Sequence, residues 1–313
     1  MQINMQRGFT LMEVMISLAI GVFLLGGVTA AYLAMRSATT ETVSISEIQQ
    51  NGRMAIALLS ADIQQAGFSG MLSDLGSITA APAAFAGDCN SGLNGGSFPQ
   101  AASGNFPSIW GVTMAAAGNV MGCVVNAAAD SDVIQVKRGG GPPVVAGAMQ
   151  ANRFYLESNS AQGAIFPGTA AAPGFNLGEI WSYFHHVYYV TTEVFDGNAI
   201  PVLARMELVN NGGPVMQQNM LLDGIERIRF YYGIDSNDDN VVDSYIAPNN
   251  MPATLWQANA QLKAVKIYVL ARASRPDVNY QNLNTYDLGD GVAFTPQDNF
   301  RRLLFSTTVS IQQ

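Results

Sequence analysis

The chain has 313 residues and a formal net charge of −8, with 23 Asp and Glu against 15 Lys and Arg. An acidic balance opposes nonspecific binding to phosphate backbones, which depends on Lys and Arg releasing counterions, so we expect no nucleic-acid partner. With 49% apolar residues, the chain can bury a substantial core in one large domain or two small ones. We expect one elaborated globular head.

An apolar run near the N-terminus covers residues 14–34 without a charged side chain and ends before Arg36. About 20 helical residues span the hydrocarbon of a bilayer, so this run predicts a membrane helix. One carboxylate, Glu13, stands at its start. An isolated acid there costs on the order of 2.5 to 3.5 kcal/mol on insertion scales, so we expect Glu13 to have a partner or a function.

The residues around this acid resemble a known processing signal. Gly8, Phe9, Thr10, Leu11 and Glu13 match the class III signal of type IV prepilins and of the related pseudopilins of type II secretion. The resemblance implies that prepilin peptidase, a membrane-embedded enzyme, cuts between Gly8 and Phe9, and that the new amine of Phe9 is methylated. In an assembled fibre, Glu13 would meet the amine of a neighbouring subunit, which offsets part of the desolvation of both charges.

An ordinary secretory signal peptide is the alternative interpretation of the same segment. Thr29, Ala30 and Ala31 would supply its small-residue cleavage site, and Arg7 its basic start. Such signals have a shorter apolar core, without an acid inside it. N-terminal sequencing of the mature protein distinguishes the two interpretations, because a signal peptide predicts a start after Ala31.

Beyond Arg36 the pattern becomes that of an amphipathic helix. Small and apolar residues recur every three or four positions, which predicts that the membrane helix continues into the head and ends near Gly67. The apolar stripe consists of Ile45, Ile48, Gly52, Ala55, Leu59, Ile63 and Ala66, and the other faces carry Glu41, Glu47, Gln50, Arg53, Asp62 and Gln64.

Two cysteines, Cys89 and Cys123, lie in a region rich in Gly, Ala, Ser and Asn that we expect to face the periplasm. A pair in an oxidising compartment predicts a disulfide, and two separate buried thiols are the alternative. In the loop-entropy model, a bridge over about 35 residues stabilises the fold by roughly 3 to 4 kcal/mol.

The rest of the chain is predicted to be rich in β-strands. Gly, Pro, Ala and Ser punctuate residues 71–129, which indicates long loops with short strands. Alternating patterns of β-forming residues follow and favour a largely antiparallel sheet. The predicted strands cover residues 133–137, 186–192, 202–208, 225–232, 262–272 and 303–311.

Several blocks resemble one group of prepilins in particular, the PilW-type minor pilins. These blocks lie at 50–68, 225–235, 264–272 and 301–309. The resemblance implies a type IV pilin-like α+β fold, in which a long N-terminal helix packs on a mainly antiparallel β-sheet head with long loops. The expected parts are a leader at 1–8, a transmembrane helix at 9–36, its amphipathic continuation at 37–70 and the head at 71–313. Residues 72–174 and the ending at 310–313 depart from the family pattern.

One acidic loop has the spacing of a cation site. Side-chain oxygens at Asp235, Asn237 and Asp239, the carbonyl of Val241 and the acid Asp243 fit the first nine positions of a calcium loop. The bidentate Glu and the invariant Gly of an EF-hand are missing, and an Asx-rich hairpin turn is the alternative. Calcium bound there would order the loop without catalysis. No other cofactor is expected.

No active site is expected, because the sequence has no GxSxG, HExxH or phosphate-loop motif. His185 and His186 are adjacent in a predicted strand, where alternation sends them to opposite faces, a poor arrangement for one metal ion.

Three functions are compatible with these patterns. The favoured one is a minor pilin that helps to initiate type IV pilus assembly in the inner membrane, with a periplasmic head, and then lies at the pilus tip on the cell surface. Its partners would be other minor pilins and the major pilin, and its loss would impair twitching motility. The alternatives are a J-type minor pseudopilin of type II secretion and a secreted, calcium-stabilised enzyme.

Overall fold

The computed structural model describes residues 9–92, 94–100, 106–257, 261–289, 291 and 293–311. The leader, with Gly8, lies outside the described residues. The chain divides into two compact units, Met1–Glu47 and Ile48–Gln313. The expected domain boundaries at residues 36 and 70 stay predictions.

A single helix, α1 (Leu11–Gln64), contains both the apolar run and the amphipathic segment, as predicted. Gly67 follows it with a φ of 83°, the left-handed conformation that suits glycine after a helix end. From Ile48 onwards the predicted apolar stripe is buried in the head, where Ala55, Leu59 and Ile63 are 0% exposed, whereas Ile45 is half-buried. Because these positions repeat every three or four residues, they lie on one face of the helix.

The head contains two main sheets, and all six predicted strands are confirmed within longer or nearly identical elements. The elements are β1 (Ile109–Thr113), β2 (Gly118–Val120), β3 (Val124–Ala127), β4 (Asp132–Gly140), β5 (Phe154–Ser158), β6 (Gly163–Pro167), β7 (Glu179–Phe195), β8 (Asn198–Asn210), β9 (Pro214–Asp223), β10 (Ile225–Ile234), β11 (Ser244–Ile246), α2 (Ala253–Gln257), β12 (Leu262–Arg272), β13 (Tyr286–Asp287), β14 (Ala293–Phe294) and β15 (Arg302–Ser310). One sheet has seven strands in the order β1-β4-β7-β5-β6, with β8 paired to β7 and β9 paired to β8, and the other has four in the order β11-β10-β12-β15. All pairings between strands are antiparallel in the described part of the chain.

The seven-stranded sheet separates two apolar clusters. On one face, Tyr188 and Val190 of β7 join the head part of α1 and the four-stranded sheet. On the other face, Val187 and Tyr189 pack against the loop-rich segment that begins near Leu72. The alternation of side chains along β7 therefore places this sheet between the helix and the long loops.

Candidate functional site

The N-terminal end of α1 is a capping box formed by Thr10 and Glu13. The Glu13 carboxylate accepts hydrogen bonds from the Thr10 backbone N–H at 3.2 Å and from the Thr10 hydroxyl at 3.1 Å. In return, the Glu13 N–H donates to the Thr10 hydroxyl oxygen at 3.3 Å. These bonds satisfy donors that have no partner in the first helical turn. The Thr-x-x-Glu spacing is a sequence signal that could have identified Thr10 in advance.

The predicted processing residues lie just before this cap. Phe9 is 86% exposed. Cleavage between Gly8 and Phe9, and methylation of the Phe9 amine, stay predictions.

The surface of α1 that follows Glu13 is apolar and exposed in a single chain. Leu11 is 80% exposed and Phe23 is 85% exposed, and the other large apolar side chains up to Met35 are also exposed. By its length and composition, the helix could cross a membrane. Exposure of such a surface to water costs about 25 cal/mol per Å², so lipid or neighbouring helices must cover it.

The second acid of interest on α1, Asp62, is buried in the head at 4% exposure. Arg138 of β4 donates its Nε–H to one Asp62 oxygen at 2.6 Å, and Nδ1 of His186 on β7 lies 2.8 Å from the other. These contacts attach the helix to the seven-stranded sheet. The sequence pattern places Asp62 on an outer face, and this prediction is wrong, because position 62 lies beside the stripe residues Leu59 and Ile63 and has cationic partners there.

The negative charge of Asp62 and the positive charges of Arg138 and His186 stabilise each other. Burial alone would raise the pKa of Asp62, but the charges of His186 and Arg138 outweigh burial and hold that pKa below its ordinary value. Burial alone would lower the pKa of His186, but the Asp62 carboxylate raises it overall. The pair is therefore an ion pair at moderately acidic pH.

His185 lies on the opposite face of β7 from His186, as predicted. Its Nδ1 is 2.6 Å from the Ser97 hydroxyl, which donates to Asp88 at 2.5 Å. Burial lowers the pKa of His185 well below its ordinary value. Ser, His and Asp are also the residue types of hydrolase triads, but Ser97 and His185 are both 0% exposed. This network therefore packs the core and does not face a substrate.

The predicted disulfide is confirmed. Cys89 and Cys123 are bonded, with their Cα atoms 4.9 Å apart and a separation of 34 positions in the sequence. The Gln135 side chain of β4 donates to the Cys89 carbonyl at 3.0 Å. The bridge and this hydrogen bond hold the loop-rich segment against the seven-stranded sheet.

The predicted calcium loop is closed by its own hydrogen bonds. The carboxylate of Asp235 accepts from the backbone N–H groups of Asn237 at 3.3 Å and Asn240 at 2.8 Å. Asp243 accepts from the N–H and hydroxyl of Ser236. Such bonds are typical of Asx turns. Among the described residues, no group of three or more His, Cys, Asp or Glu side chains is placed to hold a metal ion. Calcium binding stays a prediction.

Two family models match the chain at its two ends. The prokaryotic N-terminal methylation motif matches residues 3–29, which include the start of α1 and Glu13. The type IV pilus-assembly protein W family, PilW, matches residues 187–313, which include most of β7 and all later strands. No curated protein and no solved structure matches the chain. The loop-rich residues 72–174 lie outside both matched ranges.

The capped, exposed apolar helix, the methylation motif and the antiparallel head together define a type IV pilin, a structural component of a pilus and not an enzyme. Within that class, the two matches support a minor pilin of the PilW type. They also imply association with other pilus components, and the N-terminal motif suits a substrate of prepilin peptidase.

Proposed function

We propose that this minor pilin helps to initiate pilus assembly in the inner membrane and is then incorporated at the pilus tip. The observation that carries the proposal is the exposed apolar half of α1 with Glu13 at its start. Lipid covers this surface before assembly, and the helices of other minor pilins and of the major pilin cover it afterwards. Transfer between the two environments keeps the apolar area out of water.

Glu13 provides the specific contact in this account. Cleavage between Gly8 and Phe9 would free an ammonium group at Phe9, next to the Thr10 cap. A carboxylate has about four lone-pair positions, so Glu13 can accept a bond from the Phe9 amine of a neighbouring subunit while Thr10 still holds it. Pairing offsets part of the cost of placing each charge in an apolar helix bundle.

The substitution Glu13→Gln tests this role, because it preserves shape and removes the charge. We expect normal membrane insertion, since the apolar run is unchanged, but strongly reduced incorporation into pili, since a neighbouring Phe9 amine would lose its counter-charge. Membrane fractionation and immunoblots of sheared pili measure the two outcomes. Glu47→Gln, on the same helix, is the matched control, and normal incorporation of the Glu13 variant would contradict the proposal.

A deletion strain separates this function from that of a J-type pseudopilin, since both share the class III signal. Loss of pili and of twitching, with secretion intact, supports the proposed role. Loss of secreted enzymes with normal pili would assign the protein to type II secretion instead.

A further inference from the structure

The seven-stranded sheet of the head ends in an open edge at β9. β9 pairs with β8 on one side, and no other strand of the described residues lies on its second side. A strand edge of ten residues directs a row of backbone N–H and C=O groups outwards. At the far end of the strand, the Asn51 side chain donates to the Asp223 carbonyl at 3.0 Å. The rest of this edge can form a backbone ladder.

The other two edges of the same sheet, at β6 and β1, are bonded in part by other segments of the chain. Along β6, Ala80 forms a parallel bridge with Ala164, and the Ile165 N–H donates to the Ala80 carbonyl at 2.9 Å. At the end of β1, the Asn249 side chain accepts from the N–H of Thr113 and donates to its carbonyl oxygen. The edge of β9 is the longest of the three, with ten residues against five in β1 and five in β6.

The side chains of β9 do not protect its edge. Charged residues on edge strands prevent unwanted pairing, but β9 has no charge before Asp223, its last residue. Val215 and Met220 are each 43% exposed beside the edge. By contrast, the exposed side chains of β15, the outer strand of the other sheet, are all serine or threonine. A long, uncharged and partly apolar edge favours pairing with a strand of another chain.

We propose that the outer edge of β9 pairs with an extended strand in the head of a different, neighbouring pilin subunit. This proposal rests on the proposed function, since assembly supplies the neighbour. Backbone hydrogen bonds would give the affinity, and apolar contacts at Val215 and Met220 would add to it. Strand addition does not require a groove. It agrees with the edge of β9, where the groups available for binding are mostly backbone N–H and C=O groups.

The direction of β9 favours a different subunit over a second copy. β9 runs parallel to β7, and His186 of β7 contacts Asp62, whereas the end of β9 is bonded to Asn51, earlier on α1. β9 therefore runs opposite to the head part of α1. Two copies in which residues 48–64 of α1 run in the same direction would pair their β9 edges in parallel, which is the less stable arrangement. Another subunit can offer a strand that runs the opposite way.

Photo-crosslinking of the full chain in its native cells tests the proposal. Benzoylphenylalanine in place of Gln217, which is exposed on β9, should crosslink to the head of another protein that carries a prepilin signal, as identified by mass spectrometry of the joined peptides. The same probe at Gln281, exposed in a loop, is the control. Absence of a crosslink at position 217, or a crosslink to a second copy alone, would overturn the proposal.

A charge on the edge gives a second readout. Val215→Lys should abolish the crosslink and reduce incorporation into pili without lowering the melting temperature of the head, whereas Gln281→Lys should do neither. Normal crosslinking in the Val215 variant would also overturn strand addition. If Glu13→Gln blocks incorporation but the β9 variants assemble normally, the inference about β9 fails and the proposed function stands. If the Glu13→Gln variant is incorporated into pili normally, the proposed function is contradicted, whatever the β9 variants do.

Discussion

The two parts of α1 meet their surroundings in opposite ways. In the head, Leu59 is 0% exposed and Asp62 is paired with Arg138 and His186. Towards the N-terminus, Phe23 is 85% exposed, and the described contacts of Glu13 are with its neighbour Thr10. One part is satisfied within the subunit, whereas the other requires lipid or other subunits. Substitutions in the first should therefore change folding, and substitutions in the second should change assembly.

The largest effect on folding is expected for Asp62→Ala. Removing one partner of a buried ion pair leaves the other charge without compensation, which typically costs about 3 to 5 kcal/mol. Here both Arg138 and His186 would lose the Asp62 carboxylate, and His186 would keep the more distant Glu207, 3.8 Å from its Nε2. The free energy of unfolding of the head, from denaturant titration in detergent, is the quantity to measure.

By contrast, we expect Glu13→Gln to leave the free energy of unfolding of the head unchanged, because the hydrogen bonds of Glu13 lie within the first turn of α1. If Asp62→Ala were as harmless to folding as Glu13→Gln, the contrast between the two acids would be wrong.

The same contrast applies to two leucines of α1. Leu59→Ala removes a fully buried side chain from the helix–sheet core, and such truncations cost about 3 kcal/mol. Leu24→Ala removes a side chain that is 63% exposed, so we expect no change in the unfolding of the head. Thermal unfolding of both variants measures the difference, and equal losses would show that the N-terminal part also stabilises the head.

A smaller effect is expected at Gly52, where the helix approaches β15 closely. A Cβ atom at this position would overlap the ring of Phe305. Gly52→Val should therefore destabilise the head by about 1 to 3 kcal/mol, as overpacked cores do. Gly21→Val is the matched control, since a Cβ there has no atom within 4 Å. Equal stability of the Gly52 variant would mean that Phe305 can move aside.

Local patterns in the sequence predicted the helix, the six strands and the disulfide, because each depends on residues close together or on a residue type in a known compartment. Asp62 is different. Its partners Arg138 and His186 are 76 and 124 positions away, and nothing in the local pattern identifies them. The capping box could be predicted from the local sequence, because Thr10 and Glu13 are three positions apart.

The strand β9 was not predicted, and its sequence explains why. Gln217, Gln218 and Asn219 interrupt the alternation of apolar and polar residues that marks a half-buried strand. The segment is a strand because β8 supplies a backbone ladder along its whole length. Because an edge strand of this kind forms by pairing with the neighbouring strand, the periodicity of its own sequence does not predict it.

The ion pair in the head also predicts a pH dependence. The pKa of His186 is raised in the folded state, so its stabilisation is complete below the unfolded value of about 6.5 and is lost as the pH rises through the folded pKa. Asp62, whose pKa is lowered, adds stability that is lost as the pH falls below about 4. The loss on the alkaline side is about 1.4 kcal/mol for each tenfold gain in proton affinity.

The difference in unfolding free energy between wild type and His186→Gln isolates this contribution from other titrating groups. We expect the difference to be largest between about pH 4 and pH 6.5 and to shrink at higher pH. His185→Gln is the control, because burial lowers the pKa of His185 and its contribution changes with pH in the opposite direction. A difference that stays constant with pH would show that folding does not change the pKa of His186, and one that grows as the pH rises would show that His186 is neutral in the fold.

The smallest expected effect is that of calcium on the acidic loop at residues 235–243. Asp235 already accepts backbone N–H bonds, and Lys263 lies 3.9 Å from it, so much of its charge is compensated without a metal. A weak site at a calcium concentration equal to its dissociation constant adds about 0.4 kcal/mol to stability. A rise in melting temperature with millimolar calcium, absent in Asp239→Asn and absent with magnesium, would support binding. An unchanged melting temperature would instead support the Asx turn, in which backbone N–H groups of the loop itself satisfy the Asp235 carboxylate.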